Sequence, residues 1–225
     1  MNKCIGILVA EHEELSAIKE IMNDIEEINI FNLNIYKGTI SNKTYILVKA
    51  GVGKVNAART TQILIDKFDI NYIINLGSAG GLNDKLKIGD IVIGEKLVQH
   101  DFDVTAFGRE KGFIPETGMY FESDSKLLTS FENIHLHDVK IIKGIIASGD
   151  IFCTSKEFKK SIKQEFNADC VEMEGAAVAQ VCYLNNIPFI VLRSISDIPN
   201  GNNHIDFNEY LKLASKNCAR ILGKL

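Results

Sequence analysis

Apolar residues along this chain fall into short continuous runs that alternate with segments of helical spacing. The first run, Cys4-Ile5-Gly6-Ile7-Leu8-Val9, is too short for a buried helix and predicts a buried strand. Behind it Leu15, Ile18 and Met22 recur at helical spacing, predicting a helix over Glu13–Met22. Asn34–Ile40 and Thr44–Lys49 predict a hairpin turning at Ser41-Asn42-Lys43. A helix over Val55–Lys67 and a strand over Tyr72–Leu76 follow, then a glycine-rich turn and strands Ile91–Gly94 and Lys96–Gln99. The stretch His100–Tyr120 has little periodicity and carries Gly108, Gly112, Pro115 and Gly118, so it reads as a long loop. Beyond it the pattern predicts helix Ser125–Phe131, strand Lys140–Ala147, helix Lys156–Phe166 and strand Cys170–Met173. Helix Glu174–Tyr183, strand Phe189–Leu192 and a last helix around Phe207–Leu222 complete the series. Strands apolar throughout and alternating with helices imply an α/β protein with a central sheet covered on both faces. No linker, repeat or low-complexity stretch interrupts the pattern, so residues 1–225 read as a single domain.

Composition narrows what such a domain can be. At 225 residues and 46% hydrophobic content the chain can bury a full core. The net charge of −4, with no basic stripe, argues against a nucleic-acid partner. The first apolar run is too short for a signal peptide or a membrane span, which favours a cytoplasmic protein without membrane association. Cys4, Cys153, Cys170, Cys182 and Cys218 are odd in number and lack CxxC spacing, so they read as reduced, mostly buried thiols and not as a disulfide frame or zinc site.

Candidate chemistry concentrates in the C-terminal third. Val171-Glu172-Met173-Glu174-Gly175 opens a helix, and Arg193-Ser194-Ile195-Ser196-Asp197 ends an apolar strand. Ligands of open α/β sheets bind outside the carboxyl ends of the strands, where both clusters fall. Two carboxylates there can orient a sugar and protonate a leaving group; equally, Glu174 can be an N-terminal helix charge and Asp197 a loop cap. Three glycine turns recur at strand ends: Ala50-Gly51-Val52-Gly53-Lys54, Gly77-Ser78-Ala79-Gly80-Gly81 and Ser148-Gly149-Asp150. None is a dinucleotide fingerprint or a Walker loop. Each is explained by turn chemistry alone, but all three at the sheet edge that carries Glu174 and Asp197 suit a nucleoside-sized pocket.

These strings, in this order, resemble the nucleoside phosphorylase/hydrolase superfamily and within it the bacterial 5′-methylthioadenosine/S-adenosylhomocysteine nucleosidases. The resemblance covers nearly the whole chain, from Ile5-Gly6-Ile7 and Glu11-His12-Glu13-Glu14 through Asn75-Leu76-Gly77-Ser78 and Leu86-Lys87-Ile88-Gly89-Asp90 to His204-Ile205-Asp206-Phe207. The stretch Asp103-Val104-Thr105-Ala106-Phe107-Gly108 points to the nucleosidase branch. The resemblance implies a three-layer α/β/α fold with a central mixed, partly barrel-like sheet. It also implies hydrolysis of the adenine–ribose bond of small-molecule adenine nucleoside thioethers, without metal or cofactor, in methionine salvage.

Residue roles carry over the same way. Asp197 matches the general acid that protonates adenine at N7, and Glu14 the carboxylate that activates or positions water. Glu174, with Met173 and Glu172 beside it, matches the residue that binds the ribose hydroxyls. Ser78 and Arg193 would order water and the acidic side chains, Phe152 would stack on the base, and Phe152 and Cys153 would read its edge through the backbone. Val52, Ser196 and Phe207 complete the substrate-binding set, and a homodimer partner would contribute the counterparts of Phe107 and Pro115. From the residues alone, Glu14 also fits a solvated helix N-terminus, Phe152 plain core and Arg193 a buried structural partner. Glu11 and His12 stand where related sequences commonly place Met and another Glu, Val52 replaces a frequent Ile, and Cys153 also varies. Phosphorylases of the superfamily carry an arginine at the position of Asn75 and a Gly-Asp-Pro-x-Arg string near the first strand, where this chain has Ala10–Glu14. With four arginines in all, and Lys49 and Lys54 read as solvated, the chain lacks a phosphate clamp and suits a water nucleophile.

Overall fold

The computed structural model describes residues 3–198 and 203–225, apart from the side chains of 203–206 and 208. His204, Ile205 and Asp206 of the family string therefore lie outside the described side chains. The chain runs β1 (Cys4–Val9), α1 (His12–Lys19), β2 (Asn23–Ile30), β3 (Leu33–Ile40), β4 (Lys43–Lys49), α2 (Lys54–Lys67) and β5 (Ile70–Gly81). It continues with β6 (Ile91–Gln99), β7 (Tyr120–Glu122), α3 (Ser125–Glu132), β8 (Ile141–Ser148) and α4 (Lys156–Phe166). The series ends in β9 (Cys170–Glu172), α5 (Gly175–Leu184), β10 (Phe189–Asp197) and α6 (Asn203–Leu222).

The two-residue period of the strands divides the core. Leu8, Ile46, Val48 and Ile73 face one side, where they meet Ala57 and Leu64 of α2 and Ala176–Ala179 of α5. Ile7, Val9, Leu47 and Ile74 face the other, against Leu15 and Ile18 of α1, Phe131 of α3 and Ile221 and Leu222 of α6. A smaller cluster seats Ile162 and Phe166 of α4 on Val98 and Ala147. Residues such as Ile7 and Leu8 are wholly buried, and each such burial contributes roughly 1.5–3 kcal/mol. No helix among the described residues is long and apolar enough to cross a membrane.

The sheet is mixed and partly closed. Strand β5 pairs with β1 along its first half, with β10 along most of its length and with β9 at Gly80 and Gly81. Strand β10 also pairs with β6, β6 with β8, and β8 with β9. Those five strands close a ring, from which β1, β4, β3 and β2 extend as an open wing. Strands β5 and β10 are parallel with Ser194 beside Ser78 and Asp197 beside Gly80, so their carboxyl ends share one rim.

Four expectations change. Gly77-Ser78-Ala79-Gly80-Gly81 is the end of β5 and not a turn. Its glycines make room for side chains: a Cβ at Gly77 would lie 2.6 Å from Arg193 Nη1, and one at Gly80 2.8 Å from Lys159 Nζ. The two short strands at 91–99 are one strand, β6, with a bulge between Gly94 and Lys96. The first helix stops at Lys19, and Met22 reaches the core from the turn that follows. Strand β2 has no counterpart in the reading of the sequence, because as an exposed edge strand with Asp24, Glu26 and Glu27 it lacks an apolar run.

Candidate active site

The rim where β5, β9 and β10 end, closed by the start of α1 and the loops after β4 and β8, surrounds a cavity of about 310 Å³. Glu14 enters it from the first turn of α1 and is buried. One carboxylate oxygen accepts from the Ala10 and Glu11 N–H groups, each at 2.9 Å. The other accepts from the Ser78 N–H at 3.0 Å and the Ser78 hydroxyl at 3.3 Å. The side chain therefore caps its own helix and is tied to β5, which fixes its direction.

Beneath the cavity lies a buried ionic cluster. Arg193 donates through Nε to Glu172 at 3.0 Å, through Nη2 to the same carboxylate, and to Asn75 Oδ1 at 2.7 Å. Glu172 also accepts from the Ser148 hydroxyl and from the N–H groups of Glu174 at 2.9 Å and Gly175 at 2.7 Å. Burial alone would raise the Glu172 pKa, but Arg193 and these hydrogen bonds outweigh it and hold the group below the ordinary carboxylate value. Arg193 is thus spent on Glu172 and lies under the cavity, outside its wall. Glu174 stands immediately before α5, 3.6 Å from Arg193 Nη2, and accepts from the Gly53 N–H at 2.9 Å. Burial first, then the charge of Glu172, push its pKa up to about 8 against the opposing pull of Arg193 and Gly53.

Asp197 closes β10 on the opposite side. It accepts from Lys159 Nζ at 2.6 Å and from the Ser196 hydroxyl at 3.1 Å, and both Asp197 and Lys159 are buried. Phe152 and Phe207 stand edge to face with centroids 5.7 Å apart at the mouth. Val52, Met173 and Cys153 also line the wall. Burial pushes the Cys153 thiol up to about 11, which leaves it unreactive near neutrality.

Glu14, Ser78, Val52, Phe152 and Cys153 thus meet around one cavity with Met173, Glu174, Ser196, Asp197 and Phe207. Phe107 and Pro115 do not join them in this chain. Phe107 ends a short 3-10 turn and is 83% exposed, and Pro115 sits in the turn bridged by Ile114 and Gly118. The sequence reading missed Lys159, although a signal existed: it shares the buried face of α4 with Ile162 and Phe166, where a lysine needs a partner. Lys54 is also corrected. It is not solvated, because its ammonium binds Asp101 at 2.6 Å and Gln99 at 3.0 Å, while its N–H donates to Asp150 at 2.8 Å. That network braces the Gly53 N–H that meets Glu174. His100 is buried and structural, packed edge-on against Phe158.

Parallel strand ends, carboxylates on both sides and an aromatic mouth make a nucleoside-processing site the class this architecture fits. The chain belongs to the phosphorylase superfamily, whose sequence model matches residues 4–225, and within it to the 5′-methylthioadenosine/S-adenosylhomocysteine nucleosidase family. It is 41% identical to the nucleosidase of that name from Staphylococcus haemolyticus, over 98% of each chain. Among solved structures it matches the Neisseria meningitidis nucleosidase in complex with methylthio-immucillin-A, with a TM-score of 0.95 and 36% identity over 99% of this chain and 97% of that one. A futalosine hydrolase from Helicobacter pylori matches with a TM-score of 0.94 and 38% identity, over 98% of this chain and 95% of the other.

Proposed function

We propose that this protein hydrolyses the adenine–ribose N-glycosidic bond of 5′-methylthioadenosine and S-adenosylhomocysteine, and of 5′-deoxyadenosine, releasing adenine. The observation that carries the reading is the convergence of Glu14, Glu174 and Asp197 on one cavity of about 310 Å³. Asp197 gives its proton to N7 of the base as the C1′–N9 bond breaks and its electron pair passes to adenine. The ribosyl group gains oxocarbenium character, which a nearby carboxylate stabilises more than it does the ground state. Water held by Glu14 and Ser78 adds at C1′ and passes its proton to Glu14. Glu174 receives the ribose hydroxyls, Phe152 stacks on the base and Phe207 flanks the 5′-substituent.

Water is favoured over phosphate by charge. Among the described residues of the cavity wall Lys159 is the one lysine or arginine, and it is paired with Asp197. Phosphate would also have to approach Glu14. The protein works in this reading as a cytoplasmic homodimer of single-domain subunits, in methionine salvage. The exposed Phe107 and Pro115 reach the 5′-substituent of the neighbouring subunit and complete its site. A substrate panel tests the activity: methylthioadenosine, S-adenosylhomocysteine, 5′-deoxyadenosine, adenosine, inosine and futalosine, each with and without phosphate. Adenine release from the first three, independent of phosphate, is expected. Inactivity on all three, or cleavage of futalosine alone, would replace the assignment.

A further inference from the structure

Lys159 is 2% exposed, and its ammonium lies 2.6 Å from Asp197 Oδ2. Its side chain forms part of the wall of two cavities. One is the site already described. The other, of about 540 Å³, lies along α4 and is bordered by Asp84, Lys156, Lys160, Lys163 and Gln164. The lysine is therefore the partition between them. Strand β5 is shaped to seat it, because a Cβ at Gly80 would lie 2.8 Å from the ammonium and 3.0 Å from Asp197 Oδ2.

A chemical conflict follows. An ammonium in contact with a carboxylate favours its ionised form, whereas a general acid must carry a proton. The same ammonium sits on Asp197 Oδ2 within the wall of the cavity that the base would enter. We propose that Lys159 is a positioning residue for Asp197, pairing with it while the site is empty and swinging into the neighbouring cavity when a purine base enters. This rests on the reading of Asp197 as the group that meets the base. The swing needs only the rotatable bonds of the lysine stem, since Ile162 and Phe166 anchor α4 in the core. On the far side Asp84 is already bound to Lys163 at 2.7 Å, and Lys156 and Lys160 add like charge. That charge drives the ammonium back once adenine leaves.

The proton account closes. Asp197, released from the ammonium, takes one proton from solvent and gives it to N7 as the glycosidic bond breaks. Product release then restores the carboxylate and the ion pair. Among the described residues, the other titratable groups near the pair are Cys153 before α4, Glu11 and Glu14 on the α1 side, and Glu172 and Glu174 across the cavity. Lys156, Lys160, Lys163 and Asp84 lie behind it.

The test is lysine acylation by an amine-reactive ester, mapped by mass spectrometry on the unaltered protein with and without saturating adenine. Slow modification of Lys159 in the empty protein, rising several-fold with adenine, is expected. Unchanged or slower modification with adenine bound would overturn the swing. Independently, Lys159→Met should tighten adenine binding several-fold by titration calorimetry, because no ion pair has to open for the base to enter, with Lys159→Arg restoring the parent affinity. Adenine affinity unchanged in Lys159→Met would remove the link to Asp197. Failure of adenine to bind at all, or full turnover in Asp197→Asn, would overturn the underlying site reading and this proposal with it.

Discussion

Substituting Glu174→Gln should remove a buried group whose protonation couples the stability of the fold to pH. In the folded, empty protein the Glu174 pKa stands at about 8, against an ordinary value of 4.5. The folded state thus keeps a proton that the unfolded chain has lost. The stability this gives is fully present below about pH 4.5 and is lost as pH rises through about 8, at roughly 1.4 kcal/mol per pH unit in between. Between pH 6 and pH 8 the loss integrates to about 2 kcal/mol. For a chain of this length that is roughly 4–8 °C in Tm. Glutamine has the shape of the neutral acid, keeps a carbonyl for the Gly53 N–H and does not titrate. The wild-type Tm should therefore fall by roughly 4–8 °C relative to the glutamine variant over those two pH units. Scanning calorimetry of both proteins, freed of nucleoside and adenine, at half-unit pH steps reads this directly. Melting temperatures that stay parallel from pH 6 to pH 9 would refute the argument. Above about pH 8, where Glu174 is a carboxylate, the same variant should lose roughly 10- to 150-fold in kcat/KM, because the ribose hydroxyls lose a charge-assisted acceptor.

Asp197→Asn keeps the size of the side chain and removes its proton, so kcat should drop ~10²–10⁴-fold, and the melting temperature should fall as well because the buried Lys159 ammonium loses its carboxylate; near-normal turnover would remove Asp197 from the chemistry. Glu14→Gln should lower kcat while leaving adenine affinity within a few-fold by titration calorimetry, as the role proposed for Glu14, on water and not on the base, requires. Gly77→Ala would put a methyl 2.6 Å from Arg193 Nη1 and 3.0 Å from Glu14 Oε1, and should cost about 1–3 kcal/mol in urea unfolding. Light scattering should give twice the chain mass, and Phe107→Ala should raise KM for methylthioadenosine more than for adenosine, which lacks the 5′-thioether.

What was legible in the sequence was whatever repeats with a physical period. Strand β1 and helix α4 have the bounds that their patterns predict, because β1 is one buried apolar run and α4 sets Ile162 and Phe166 on its inner face at helical spacing. Strand β2 was not legible, since its hydrogen bonds to β3 do not require buried side chains. The end of β5 misled for a sharper reason. Its glycines suggest a turn, yet they serve a strand whose neighbours Arg193, Glu14, Lys159 and Asp197 fill the space that side chains would take. That Glu14, Glu174 and Asp197, from separate elements, line one cavity was legible in the order of the motifs. The partners were not. That Arg193 is bound by Glu172 and Lys159 by Asp197 depends on contacts across the sheet, which no local spacing encodes.

We propose that water, and not phosphate, takes the ribosyl group from adenine. This is tested most directly by turnover of methylthioadenosine in water enriched in oxygen-18, with phosphate first absent and then abundant, and mass analysis of the sugar. Adenine should appear at equal rates in both, with methylthioribose carrying one labelled oxygen at C1. A phosphate-dependent rate with an unlabelled methylthioribose 1-phosphate product would contradict the account.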